Sequence, residues 1–333
     1  LKSYRAHKII AGVEMRTFSS CLTIWLGSVR LRLLIVALGI GLMPVGLAAQ
    51  SEPTGVAVLM DRVGSPSPEA LDEFKNAGME GVRPHELTAG ERAKVEAALD
   101  SLPSLNQRVL EKRLRHLAFV DGIPGEGTGL TSPVEKTGMY DITLRTSIVD
   151  EPLSKFLTKK ERRVFRDDGS GVTVTVTGTG ADALTYVLLH ESTHVTDFAC
   201  GITAHPHSPL EVGIWGADKQ MVPALAGSMA TTTYFRGGKL VPMGQAAMVY
   251  DALAKTPFVS LYGTASPMED FAELVAWYEI LTQHHGDLVI AVSDAHGKTP
   301  GEWKPLTFPW VQKRFAEVDA LLASPSACSS LAS

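Results

Sequence analysis

The chain has no excess of positive charge. Its 31 Lys and Arg are outnumbered by 36 Asp and Glu, for a formal net charge of −5. A nucleic-acid binder held by phosphate contacts needs a basic surface, so that class is disfavoured. Cysteine is scarce, three in 333 residues, which rules out a fold stapled by many disulfides. No internal repeat and no long low-complexity tract is visible. What is present, 45% hydrophobic and 20% charged residues, suits a globular protein with a real core. The length fits one large domain or two small ones.

The first 49 residues read differently from the rest. Arg30 and Arg32 precede an apolar stretch from Leu33 to Ala49, with small residues at Gly46-Leu47-Ala48-Ala49 where a leader would be cut. The stretch approaches the length of a membrane span but contains Gly and Pro. Residues 1–49 are therefore expected to be a signal peptide or, failing cleavage, an N-terminal membrane anchor. Both readings export the remainder to the periplasm or medium, with a membrane-anchored form as the alternative. Cys21 precedes the apolar stretch and does not look like a lipid-attachment site. Cys200 and Cys328 remain, and they form either one disulfide or two thiols.

Residues 50–85, rich in Pro, Gly and Ser, read as a flexible linker or arm. Residues 86–325 read as one domain, and 326–333 as a tail. Thr88-Ala-Gly-Glu91 predicts a capping box opening a helix to about Leu99. A second helix is expected over Leu105–His116, a short strand over Leu117–Val120, a loop over 121–138 and a strand over Tyr140–Val149. Lys155–Arg166 reads as a basic, mostly solvated helix. Val172–Thr177 alternates strictly and is the clearest strand.

That strand leads into His190-Glu191-Ser192-Thr193-His194, an H-E-x-x-H run. Residues four apart share one helix face, so two imidazoles can grip one Zn²⁺ with Glu191 beside them to take a proton from water. The surroundings are helix-compatible. Leu184, Leu188, Val195 and Phe198 recur at helical steps, and Gly201 stands where the helix would stop.

Zinc needs a third protein ligand. The best source is the helix expected over Pro267–Gln283, where Ser266 suits the N-cap and Pro267 the first position. Glu269 and Glu273 lie four apart and project from one face, bordered by Ala272 and Ala276, which admit a close neighbouring helix. One reading puts Glu269 on the metal and Glu273 behind it, accepting a hydrogen bond from a ligating His. In the other, Ser266-x-x-Glu269 is only a capping box and Glu273 is the ligand. Further helices are expected over Gln245–Ala254 and Phe308–Leu322. His205, His207, His284 and His285 lack helical spacing and read as loop or surface residues.

These two blocks resemble the catalytic domain of the anthrax lethal factor family, within the gluzincin class of zinc metalloproteases. The second block here is Tyr262-Gly263 followed, seven residues after the Tyr, by Glu269-Asp-Phe271-Ala272-Glu273. The resemblance implies that Glu269 binds zinc and that Tyr262 lies by the metal and donates to the oxyanion. Asp197 also matches an Asp of the family pattern; on its own residues it reads as a ligand support or a local cap. The gap of 75 residues from His194 to Glu269 is long for this family and implies an inserted lid or wall.

The expected fold is α+β and zincin-like: a small twisted sheet on the His-bearing helix and a mainly helical C-terminal lobe, with the site between about 86–200 and 201–325. The expected function is an exported metallopeptidase with one Zn²⁺ per chain. It would act on a peptide or protein through Glu191 as general base, with the peptide pairing along the edge strand Val172–Thr177. The alternative is an exported zinc-binding module or latent pseudo-enzyme. Neither involves nucleic acid, and a membrane enters only through an uncleaved anchor.

Overall fold

The computed structural model describes residues 55–204, 208–324 and 326–328. The expected leader, His205, His207 and the end of the tail lie outside the described residues.

Residues 55–85 are not an arm. They form α1 (Val56–Met60), β1 (Val63–Gly64), α2 (Pro68–Asn76) and β2 (Glu80–His85). The proline that suggests a linker is instead at the start of α2, after the Ser67 cap, where its missing N–H costs nothing. Leu59 and Phe74 are fully buried, so this segment belongs to the domain.

Then follow α3 (Ala89–Asp100), α4 (Ser104–Arg113), β3 (Leu114–Ile123), β4 (Gly129–Val134) and β5 (Met139–Arg145). The Thr88–Glu91 capping box opens α3 as expected. The expected loop 121–138 contains β4, which gains its order from antiparallel pairing with β5. The first sheet runs β1-β3-β5-β4, with β2 also on β3. Its β1–β3 and β3–β5 pairs are parallel.

Next come α5 (Leu153–Arg162), β6 (Phe165–Arg166), β7 (Thr173–Gly178) and α6 (Ala183–Cys200). The C-terminal part holds α7 (Pro223–Ala226), β8 (Val241–Pro242), α8 (Ala246–Leu253), α9 (Pro267–Thr282), β9 (Leu288–Ser293), β10 (Gly301–Trp303) and α10 (Pro309–Ala323). A second sheet is ordered β10-β9-β7, and β6 pairs with β8. The architecture is thus mixed, helices with small sheets. One core cluster runs from Leu59 to Cys328, through both halves of the chain.

Two expectations fail on α5 and β7. The helix is not mostly solvated, because Lys160 and Glu161 are buried. Nor is the β7 edge open to a peptide. Ser154, Thr158 and Arg162, four apart on one face of α5, bond to its outward backbone groups. Ser154 Oγ accepts from Gly178 N–H and donates to Gly178 O; Thr158 Oγ1 does the same at Val176; Arg162 Nε donates to Val174 O. A strand edge whose donors and acceptors are already satisfied offers nothing to a further strand.

Candidate metal centre

Helix α6 is set at both ends. Asp182 Oδ1 accepts from Thr185 N–H at 2.7 Å, and Gly201 ends the helix in the left-handed region at φ 67°. Every residue from Ala183 to Asp197 except Thr185 is buried, with α9, α4 and β4 packed around it. The two central residues of the H-E-x-x-H run are braced from α4. Asn106 Nδ2 donates to Ser192 Oγ and Thr193 Oγ1, both at 3.0 Å.

Helix α9 packs on α6, and Ala272 and Ala276 of α9 are fully buried. Ser266 Oγ caps it by accepting Glu269 N–H at 3.2 Å. The Glu269 side chain does not return to close a capping box. It points at the two imidazoles, with Oε2 lying 3.0 Å from His190 Nε2 and 3.5 Å from His194 Nε2. The two Nε2 atoms are 3.1 Å apart. Glu273 stands behind, its Oε1 3.2 Å from His190 Nδ1. That carboxylate is saturated: Lys160 Nζ donates to Oε1 at 2.9 Å, Tyr186 Oη also donates to Oε1, and Ser260 Oγ donates to Oε2 at 2.6 Å.

Three donor atoms from His190, His194 and Glu269 thus converge at a buried point. A tetrahedron with ligands about 2.0–2.1 Å from its centre has edges of about 3.3–3.4 Å. The triangle here has edges of 3.0, 3.1 and 3.5 Å. Two imidazole nitrogens and a carboxylate oxygen at that spacing fit Zn²⁺. Buried Glu191, Glu269 and Glu273 gather three carboxyl groups around this point. Glu269 Oε1 and Tyr262 Oη are buried at the same place without a hydrogen-bond partner.

Burial works against the charged forms of both His190 and Glu269, and their mutual attraction opposes it. His190 is pushed up to about 9 by Glu269 and Glu273, and Glu269 is held down to about 2 by the two imidazoles. Burial raises the Glu191 carboxyl above its ordinary range, against the pull of His194 and His190. Its base strength therefore exceeds that of a solvated carboxylate.

Glu191 lies against β4. Thr131 Oγ1 donates to its Oε2 at 2.7 Å and approaches its backbone O at 3.3 Å. Tyr262, in a 3-10 turn over Tyr262–Thr264, packs 5.8 Å from the His190 ring. Phe198 stacks on His194 with ring centres 6.0 Å apart. Asp197 acts as a cap rather than a ligand support. Its carboxylate accepts from Thr203 N–H at 2.7 Å and from Thr203 Oγ1 at 2.6 Å.

Residues 234–236 form a wall beside Tyr262. Phe235 meets Tyr262 edge-on at 5.1 Å, Arg236 Nη1 donates to Thr264 O at 2.8 Å, and Tyr234 Oη reaches the Glu126 carboxylate at 3.2 Å. His284 and His285 lie in the turn after α9, away from the centre.

Sequence reasoning missed Gly129, Thr131, Lys160, Tyr186 and Ser260. For Lys160 a signal existed. Leu153, Phe156, Leu157, Lys160 and Glu161 form one i, i+3, i+4, i+7, i+8 stripe, so its place is on the buried face of α5.

Comparison of the chain with protein-family models, with curated proteins and with solved structures finds no match.

Proposed function

We propose that the chain is an exported zinc-dependent metallopeptidase of the gluzincin kind, similar to the lethal factor catalytic domain. The observation that carries this is the triangle of His190 Nε2, His194 Nε2 and Glu269 Oε2, with the Glu191 carboxylate beside it on the same helix. In this reading those three residues hold zinc. When bound, zinc polarises a substrate carbonyl and lowers the pKa of water to about 7.

The protein's own groups supply the rest. Thr131 fixes the Glu191 carboxylate through Oε2, and Glu191 takes the proton of the attacking water and passes it to the leaving amine. Tyr262 Oη is a donor for the developing oxyanion. Glu273, saturated by Lys160, Tyr186 and Ser260, keeps His190 oriented through Nδ1.

An extended substrate fits β4 better than β7. The β4 strand ends its sheet, and among the described residues it pairs only with β5. With Thr128 O bonded to Arg145 N–H, the alternation of the ladder turns the backbone of Gly129, Thr131 and Pro133 outward. Pro133 on that edge discourages unwanted pairing beyond the site. The Cys200–Cys328 disulfide suits an oxidising compartment and supports export.

A latent form is favoured by one observation: His190, Glu191, His194, Glu269 and Tyr262 are all 1–3% exposed. The test is cleavage of a mixed peptide library by purified protein, with Glu191→Gln alongside and zinc measured in both. Cleavage by the zinc-loaded wild type, reduced by about 10²–10⁴ in Glu191→Gln, is expected. Zinc without cleavage points to a latent enzyme or binding module. Absence of zinc overturns the reading.

A further inference from the structure

We propose that Lys160 is a positioning residue of the metal centre: it holds Glu273 against His190 and seats the ring of Tyr262. This rests on the zinc reading above. Lys160 comes from α5, remote in sequence from both α6 and α9. It is 6% exposed. Its Nζ donates to Glu273 Oε1 and to Tyr186 Oη, each at 2.9 Å. The same ammonium sits 4.1 Å from the centre of the Tyr262 ring and 5.3 Å from that of Tyr186.

Burying an ammonium is costly, and an apolar side chain of similar length would pack α5 at least as well. Its position explains the choice. Glu273 has Ser260 on Oε2, and Lys160 and Tyr186 on Oε1, which lies 3.2 Å from His190 Nδ1. The Oε1–Nδ1 approach is an ion-pair contact without hydrogen-bond geometry, and a carboxylate buried beside Glu269 needs a compensating charge to hold it. Lys160 supplies it. With the proton kept on Nδ1, Nε2 presents its lone pair toward Glu269 and His194. The second contact acts on Tyr262. A cation over one ring face and Phe235 edge-on at 5.1 Å fix the plane of the ring, and thereby the direction of Oη. One side chain thus ties the ligand His190 to the donor Tyr262.

The test uses the whole exported chain with Lys160→Met, which keeps length and removes charge. Zinc affinity is measured by chelator competition, the visible spectrum is recorded with cobalt in place of zinc, and kcat and KM are determined separately. Lys160→Met is expected to lose about 10–100-fold in zinc affinity. Its cobalt spectrum should shift, and kcat should fall with KM within about twofold. The metal-free variant should unfold at lower denaturant than the metal-free wild type, because the buried Glu273 carboxylate loses its compensating charge. Lys160→Gln, which keeps a donor without the charge, carries the same test if Lys160→Met does not fold. Unchanged zinc affinity and an unchanged cobalt spectrum in the folded variant overturn the proposal, leaving Lys160 a packing residue. These two readouts do not depend on peptide cleavage, so a wild type that binds zinc and cleaves nothing still decides the matter. A wild type that binds no metal defeats the zinc reading and this inference with it.

Discussion

Gly129 of β4 lies so close to Glu191 of α6 that there is no room for a side chain between them. A Cβ at position 129 would stand 2.4 Å from Glu191 Oε1 and 2.9 Å from its Cδ. The backbone of β4, the strand proposed to take the substrate, and the proposed general base are therefore in direct contact. Gly129→Ala must displace the carboxylate, since Glu191 is buried and cannot swing into water. A misplacement of about 1 Å at a reacting group costs on the order of 10²-fold. We expect kcat to fall by about that much while zinc content stays at one per chain. Single-turnover kinetics with metal analysis checks it, and undiminished kcat would remove Glu191 from the role of base in this rotamer.

Thr131 tests the same contact from the other oxygen. Its Oγ1 donates to Glu191 Oε2 at 2.7 Å. Thr131→Val keeps the shape and removes the donor. A charged-acceptor hydrogen bond contributes about 1.5–3 kcal/mol, so kcat should drop roughly 10- to 100-fold. Thr131→Ser, which retains the hydroxyl, should stay close to wild type. Equal losses in both variants would show that packing, and not the hydrogen bond, orients the base.

Glu161 predicts a pH dependence of stability unconnected with catalysis. Burial raises its carboxyl to about 7, against the bond from Tyr250 Oη at 2.9 Å and the pull of Lys160. An acid whose folded pKa lies above its unfolded one stabilises the fold below the unfolded pKa. That contribution is lost as pH rises through the folded value. Stability should therefore decline from about pH 4.5 to pH 7, by up to about 3 kcal/mol from this group. In Glu161→Gln the decline should flatten. A smaller slope should remain from Glu279, which burial and Asp319 also raise to about 7. Urea titrations at several pH values measure this, and an unaltered slope in Glu161→Gln would place the pH dependence elsewhere.

The parts of the site visible in the sequence are those carried by local geometry. His190 and His194 share a face because the helix repeats every 3.6 residues, and Glu269 and Glu273 do so for the same reason. Ser266 and Pro267 mark the start of α9 in any context. What pairs these faces across 75 residues is tertiary, and so is every partner that polishes the site. The β4 strand is short and sits among Gly and Pro, so its order comes from β5 and α6, and no alternation reveals it. Lys160 stands in a Lys-Lys-Glu-Arg-Arg run whose charge masks its place on the apolar stripe of α5. The edge of β7 looks open by its alternation, because that pattern is silent about side chains from another helix that satisfy its backbone. The segment 55–85 reads as a linker from composition, yet the same proline and serine cap a helix once Phe74 finds a core.

The disulfide joins the last residue of α6 to the end of the described chain. Cys200 lies six residues beyond His194, and its bond to Cys328 closes a separation of 128 residues. The enclosed stretch contains the wall segment, α9 with Glu269, and α10. A cross-link of that span constrains the unfolded chain strongly, typically by about 2–4 kcal/mol. Other contacts tie the same elements together. Arg314 of α10 already grips Asp270 of α9 through both oxygens at 2.7 and 2.9 Å, and Trp215 donates to the same carboxylate at 2.8 Å. Replacing both cysteines by serine should therefore lower unfolding stability by about 2–4 kcal/mol while leaving zinc stoichiometry unchanged. Urea unfolding with metal analysis separates the two effects. Loss of zinc at full folding would mean that the disulfide holds the ligand helix in place, and that the Asp270–Arg314 pair alone does not.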